Sequence, residues 1–266
     1  MRELAGPPEA QALLLLHGWT VTADLNWRGC YAPLAERYRV VAMDHRGHGR
    51  GIRSWRRFRL EDCADDAIAV ADVLDLRRPI LVGYSMGGPV ACLAARRHRG
   101  RLGGIVLCAT AARFLRGAPI DQVFSAGVLG LSLAARLTPG PLRRPVTDTF
   151  LRQRSGSLPA WARHELQRSD AAALLQAGFA VRTWDGAAWM AGLDLPCAVV
   201  VTERDGTVPP SAQLAMARSI PGSTVHTVPG DHDVVITSPE VLLGSLIEAC
   251  ASVASRAGAR LARGNG

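Results

Sequence analysis

A serine stands between two glycines in Ile80-Leu81-Val82-Gly83-Tyr84-Ser85-Met86-Gly87-Gly88, spaced G-x-S-x-G. An apolar, strand-like run leads into it and a helix-like run leads out. In a strand-to-helix turn this tight, the residues two before and two after the serine must be small, and the hydroxyl is lifted clear of the strand end. A serine hydroxyl is a poor nucleophile near neutral pH. It needs a base to take its proton, and the base needs an acid to orient it. Of the seven histidines, His232 in Gly230-Asp231-His232-Asp233 is the candidate base, because it follows the last strand-like run by a few residues in a polar loop. Asp205 in Thr202-Glu203-Arg204-Asp205-Gly206 is the candidate acid, with Glu203, Asp231 and Asp233 as competing carboxylates. A tetrahedral oxyanion would need two backbone donors. The amide of Met86, next to the nucleophile, supplies one, and the amide of Trp19, in the His17-Gly18-Trp19-Thr20 loop, is assigned as the other.

These residues are useful only if the chain brings them to one edge of one sheet. The apolar runs Ala12–Leu16, Arg39–Met43, Ile80–Val82, Ile105–Leu107 and Ala198–Thr202 lack polar alternation. Such runs fit strands of a parallel sheet covered on both faces. Helix-like stretches at Tyr31–Tyr38, Leu60–Leu76 and Pro89–His98 alternate with them, so the expected fold is a doubly wound, mostly parallel α/β sheet. Ligands of such sheets gather beyond the carboxyl ends of the strands, where Ser85, Asp205 and His232 all fall. Between Ala111 and Leu195 the strand-like runs stop and Pro, Gly and helical segments such as Ala160–Gln176 take over. The expected domains are therefore a core of residues 1–110 and 196–266 with a helical cap of residues 111–195 inserted in it. Thr224–Val228 and a helix over Glu240–Ala254 would close the core, leaving Arg256–Gly266 as a frayed tail.

Composition narrows the classes. With 266 residues, 48% hydrophobic and 20% charged, the chain can bury a full core and does not read as disordered or fibrous. No uninterrupted apolar run reaches the length that crosses a bilayer, so no membrane insertion is expected. The net charge of +8 comes from 31 basic residues that are all arginine and are dispersed along the chain. That reads as compositional bias rather than a nucleic-acid footprint. Six cysteines without C-x-x-C spacing suit a reducing compartment, the cytoplasm. His45-x-x-His48 lacks a third ligand nearby, so no metal is expected. No G-x-G-x-x-G follows the first strand, so no dinucleotide cofactor is expected either.

Taken in order and spacing, His17-Gly18-Trp19, Asp44-His45-Arg46-Gly47-His48-Gly49, Gly83-Tyr84-Ser85-Met86-Gly87, Asp205 and Gly230-Asp231-His232 resemble the α/β-hydrolase superfamily over roughly Ala12 to Ala254. The resemblance implies Ser85 as nucleophile, Asp205 as acid and His232 as base, and a structural role for the turn at 44–49. Such proteins commonly carry a hairpin before the His-Gly strand. Only 11 residues precede Ala12 here, so a sheet short of its first strand or two is expected. The leading expectation is hydrolysis of a carboxylic ester with a small or medium hydrophobic acyl group. Phe114-Leu115, Val128-Leu129, Leu131, Leu133, Trp161, Phe179 and Trp184 could line its site or simply fix the cap to the core. Thioester hydrolysis, with Arg113, Arg116, Arg143 or Arg144 meeting a carrier phosphate, is the alternative, alongside cofactor-free perhydrolysis and C–C bond hydrolysis. A ligand-binding receptor on the same fold is the non-enzyme alternative.

Overall fold

The computed structural model describes residues 1–114 and 160–264, with residues 127, 130 and 134 between them. Seven strands form one sheet: β1 (Arg2–Leu4), β2 (Ala12–Leu16), β3 (Arg39–Met43), β4 (Ile80–Tyr84), β5 (Gly104–Cys108), β6 (Cys197–Thr202) and β7 (Thr224–Val228). Their spatial order is β1-β3-β2-β4-β5-β6-β7, and every pairing is parallel except β1 with β3. A doubly wound α/β sheet is thus the architecture. The short amino-terminal segment holds one strand before β2. Arg2–Leu4 pairs with Val40–Ala42, and the Arg39 guanidinium grips Glu3 at 2.7 Å.

Alternation along the central strands divides the core into two layers. Leu14, Leu16, Leu81, Ile105, Leu107, Val199 and Val201 face α3 (Leu60–Val73), α4 (Gly87–Arg97) and α8 (Pro210–Ser219). Leu13, Leu15, Ile80, Val82, Val106, Ala198 and Val200 face α1 (Ala23–Trp27), α2 (Tyr31–Ala35) and α10 (Pro239–Gly264). Both faces of the sheet are dry, which is why its strands read as unbroken apolar runs. Register aligns their carboxyl ends: Leu16 lies beside Gly83, Tyr84 beside Cys108, Cys108 beside Val200 and Thr202 beside Val228.

Two expectations need correction. The stretch Ala160–Gln176 is not one helix. It breaks into α5 (Ala160–Gln167) and α6 (Ala171–Arg182), because Asp170 adopts extended backbone and its carboxylate accepts the amide of Ala173 at 2.9 Å. That is an N-cap, which starts a new helix. The tail expected to fray is helical over its described part, since α10 continues to Gly264, and residues 265–266 lie outside the described residues. Arg256 holds it down, donating to the carbonyls of Ser252 (3.1 Å), Gly222 (2.6 Å) and Cys197 (2.8 Å). By length and composition Pro239–Arg260 could cross a membrane. In the fold Leu242, Leu246, Ala249, Cys250 and Val253 are buried in the core layer that covers the sheet.

Arg256→Ala would remove the side-chain donor from the carbonyls of Gly222 and Cys197 and a second donor from that of Ser252. A loss of about 1–3 kcal/mol is expected, seen as a lower midpoint in urea at unchanged slope.

Candidate active site

β4 hands over to α4 through a single strained residue. Ser85 has φ of +50°, the left-handed region that a non-glycine residue occupies only when its surroundings force it. Two close approaches make the turn possible. A Cβ at Gly83 would collide with the carbonyl of Gly87, and one at Gly87 with the carbonyl of Leu16. The Ser85 amide donates to Cys108 O at 2.9 Å, and Ser85 O accepts from Gly88 N at 2.9 Å. The hydroxyl is thereby aimed off the end of the sheet, at the start of an 11-residue helix.

Ser85 Oγ lies 3.0 Å from His232 Nε2, and His232 Nδ1 lies 2.8 Å from Asp205 Oδ2. Asp205 is fully acceptor-satisfied. Oδ1 accepts the amides of Thr207 (2.8 Å) and Val208 (2.7 Å), while Oδ2 accepts the Thr202 hydroxyl (2.8 Å) and Gln213 Nε2 (3.3 Å) as well as His232. Burial pushes this carboxyl up. The hydrogen bond and charge of His232, with the Val208 amide and Thr202 hydroxyl, outweigh it and hold the acid below the usual carboxylate range. Asp205 therefore stays an acceptor, which places the proton on His232 Nδ1 and leaves Nε2 free to accept from Ser85. Of the competing carboxylates, Glu203, Asp231 and Asp233 are all exposed, and Asp205 is the one bonded to the imidazole.

Three supports were not foreseen from sequence. Gln213, on α8, donates to Thr202 Oγ1 and Val208 O at 2.8 Å and accepts the Thr202 amide at 3.1 Å, bracing the acid loop from below. Thr202 itself belongs to that brace. Tyr84, beside the serine, donates its hydroxyl to His232 O at 2.9 Å. None carries a motif; the one clue is that buried polar groups such as Gln213 must find partners.

On the other side of Ser85 lies the loop that leaves β2. A Cβ built on Gly18 would stand 3.4 Å from Ser85 Cβ, so the loop passes directly beside the nucleophile. Gly18 N is held by Asn26 Oδ1 at 3.0 Å, and Thr20 has φ of +67°. Trp19 turns its indole to α6, donating to Leu174 O at 2.7 Å. Met86, fully buried, opens α4, where helix amides lack intrahelical acceptors.

Beneath this loop His17, His45 and His48 form a buried cluster, with ring centroids 4.5 Å (His17–His45) and 5.1 Å (His17–His48) apart. His17 Nε2 accepts the His45 amide at 2.9 Å, so its Nδ1 carries the proton and donates to Gly18 O at 2.7 Å. Among the described residues no group of three or more His, Cys, Asp or Glu side chains is arranged to hold a metal ion. The other histidines are paired rather than partnerless: His98 with Asp65 at 2.7 Å, His226 with Glu248 at 3.6 Å and His164 with Arg168 at 3.1 Å.

The helices α5 and α6 sit on the loop that leaves the carboxyl end of β3. Asp170 N donates to Gly47 O at 2.7 Å, Gly49 N to Ser169 Oγ at 3.0 Å and Phe58 N to Gln176 Oε1 at 2.7 Å. Arg50 grips Glu165 through both carboxylate oxygens at 2.8 and 2.7 Å. Of the apolar residues expected to line a site, Trp184 is buried and bonded to Ala111 O at 3.2 Å, Trp161 lies under the Arg28 guanidinium and Phe179 under that of Arg57. Phe114 packs against the core. Arg113 pairs with Asp185 at 2.7 Å. Leu115, Val128, Leu129, Leu131 and Leu133, with Arg116, Arg143 and Arg144, lie outside the described residues.

The family description of the alpha/beta hydrolase fold matches residues 11–239. Among curated proteins, a non-heme chloroperoxidase of Burkholderia pyrrocinia is 38% identical over 84 residues, 31% of this chain and 30% of that one. A bifunctional esterase/perhydrolase of Acinetobacter calcoaceticus is 39% identical over 93 residues, 34% of this chain and 33% of that one. The chain spans about a third of the length of these relatives. Among solved structures, a thermophilic esterase from Thermogutta terrifontis, with malate bound, is 25% identical with a TM-score of 0.76, covering 95% of this chain and 92% of that one.

The histidine cluster makes stability depend on pH. Burial, reinforced by repulsion from His17, pulls His48 down from 6.5 to about 3, and burial lowers His17 and His45 in the same direction. Below about pH 6.5 the unfolded chain binds protons that the folded chain refuses. For His48 the stabilisation is complete above that pH and is lost as pH falls toward about 3, at ~1.4 kcal/mol per pH unit, and His17 and His45 act in the same direction. Urea midpoints should therefore fall steeply from pH 7 to pH 5, and His48→Asn should flatten that slope whatever it does to the midpoint at pH 7.

Proposed function

The chain belongs to the alpha/beta hydrolase fold family, and on that premise we propose that it is a serine hydrolase cleaving a carboxylic ester of a small or medium hydrophobic acyl group. The observation that carries the reading is the continuous chain of contacts from Ser85 Oγ to His232 (3.0 Å) and from His232 to Asp205 (2.8 Å). Nucleophile and base are within hydrogen-bond reach, and a third group orients the base. Ser85 Oγ attacks the ester carbonyl as its proton passes to His232 Nε2. The carbonyl oxygen, now an oxyanion, is held by the amides of Met86 and Trp19. The C–O bond to the leaving group breaks, and His232 returns the proton to the departing alkoxide, freeing the alcohol. Water then attacks the acyl-serine, giving its proton to Nε2; the acid leaves and Ser85 recovers its hydrogen. Asp205 keeps its charge throughout and stabilises the imidazolium.

An apolar acyl group is supported by an apolar cluster that follows the loop beside the serine. Val21 and Leu25, on the loop and helix that follow Trp19, pack with Ala162 and Leu166 of α5. The residues from about 111 to 195 act as a cap, with α5 and α6 resting on the loop after β3. The six cysteines, all buried free thiols, support a cytoplasmic location. A second reading, perhydrolysis, is favoured by the Acinetobacter relative, named an esterase/perhydrolase. Hydrogen peroxide would then replace water at the acyl-serine and release a peracid.

A panel of p-nitrophenyl esters of graded chain length tests the proposal. Turnover with a preference for short to medium chains is expected, and Ser85→Ala should abolish both turnover and fluorophosphonate labelling while keeping the fold. Labelling that survives in the variant would remove Ser85 as nucleophile. Asp205→Asn should lower kcat by about 10⁴ by favouring the wrong tautomer of His232, and Glu203→Gln should change it little. Equal losses in the two would reassign the acid. Peracid formed in added peroxide, and lost with Ser85→Ala, would establish the second activity.

A further inference from the structure

At the edge of the sheet opposite Ser85 lies a cavity of about 510 Å³. Its walls include Arg78, Gly103 and Pro196, which lie within two residues of the starts of β4, β5 and β6, together with the ends of α4 and α10. The volume is that of a small-molecule site. Four guanidinium groups line it, from Arg78, Arg96, Arg99 and Arg260, against a single carboxylate, Asp194. Arg260 takes that carboxylate at 2.9 Å. Arg96 lies 4.6 Å above the ring of Trp189, and Arg78 makes one long contact, 3.5 Å to Leu102 O. Among the described residues none of Arg78, Arg96 and Arg99 has a carboxylate within ion-pair distance. The neighbouring arginines just outside the cavity do: Arg97 with Asp65 at 2.9 Å and Arg101 with Asp72.

Helix dipoles do not account for this concentration of charge. The carbonyl ends of α4 and α10 each offset about half a charge. With Asp194 already taken, roughly two positive charges remain facing one concave space beside the apolar surfaces of Trp189, Leu193 and Leu195. A phosphate monoester carries about −1.5 to −2 at neutral pH, and guanidinium forks match its oxygens. We propose that this cavity is a binding site for a small organic phosphate, its phosphate between Arg78, Arg96 and Arg99 and its apolar body against Trp189 and Leu193. The site is remote from Ser85, and the proposal holds whatever bond the enzyme cleaves.

Isothermal titration calorimetry with phenyl phosphate tests it, with inorganic phosphate and benzoate as comparison probes. One saturable site is expected, filled more tightly by phenyl phosphate than by either comparison probe. Arg99→Ala and Arg78→Ala, both at exposed positions, should each weaken binding about tenfold, the scale of one lost charge-assisted hydrogen bond, without shifting Tm. Arg101→Ala, which removes the same charge from the same edge but outside the cavity, should leave affinity unchanged. Absence of saturable heat at millimolar phenyl phosphate would overturn the site. So would equal weakening by Arg101→Ala, which would reduce the effect to diffuse charge, or affinity untouched by Arg99→Ala and Arg78→Ala, which would put the phosphate elsewhere.

Discussion

The left-handed backbone of Ser85 is the constraint on which the rest of the site depends. A residue with a Cβ at φ of +50° carries strain on the order of 1–3 kcal/mol, and it persists only because the surroundings leave no alternative. β4 is paired on both sides, to β2 and β5, so its end cannot shift. α4 is packed into the sheet along a face of small residues, and the two glycines bring the strand, the helix and Leu16 into contact distances that any side chain would forbid. The strain is what presents Oγ to a histidine carried on a loop 147 residues further along.

Around that point the protein spends its buried polar groups on orientation. Asp205 is stripped of water yet remains a carboxylate, because amides, a hydroxyl, a side-chain amide and the imidazole all donate to it. A buried charge without such donors would neutralise instead. Gln213 carries the same logic one layer out, tying Thr202 and Val208 together so that the acid loop keeps one shape. Tyr84 pins the backbone of the base from the strand that ends in the nucleophile. The histidine cluster is the counter-example: rings kept neutral by burial fill space under the His17–Thr20 loop, and their low proton affinity ties the shape of that loop to pH.

The two edges of the sheet differ in charge for a topological reason. Crossover helices run opposite to the strands, so their carbonyl ends gather at the amino edge, where arginines are favourable. Arg96 and Arg260 occupy such ends. At the carboxyl edge Arg46 pairs with Asp62 and Asp66, and Arg50 with Asp24 and Glu165, the last tying α5 to the loop after β3. Among the described residues, Arg78, Arg96 and Arg99 thus meet without a carboxylate partner in one concave place at the amino edge.

Much of this was written locally. Six of the seven strands, the elbow at Ser85 and the strand-end positions of Asp205 and His232 follow from apolar runs, small residues at fixed spacing and chain order, because strand burial and tight turns constrain residue type within a few positions. Arg2–Leu4 escaped because three residues carry no periodicity, and the extension of α10 to Gly264 because the carbonyls that hold Arg256 belong to Cys197 and Gly222 as well as to its own helix. Choosing Asp205 over Glu203 rested on reach, while the bond itself, the Gln213 brace and the Tyr84 contact join positions that only folding brings together. The same holds for Arg78, Arg96, Arg99 and Arg260, which read as scattered charge along the chain and meet at one cavity. Sequence determined which groups could act and which strand end would carry them. Tertiary structure decided which of those groups touch, because a hydrogen bond or an unmatched charge depends on distance in space, and local composition does not encode distance between residues far apart in the chain.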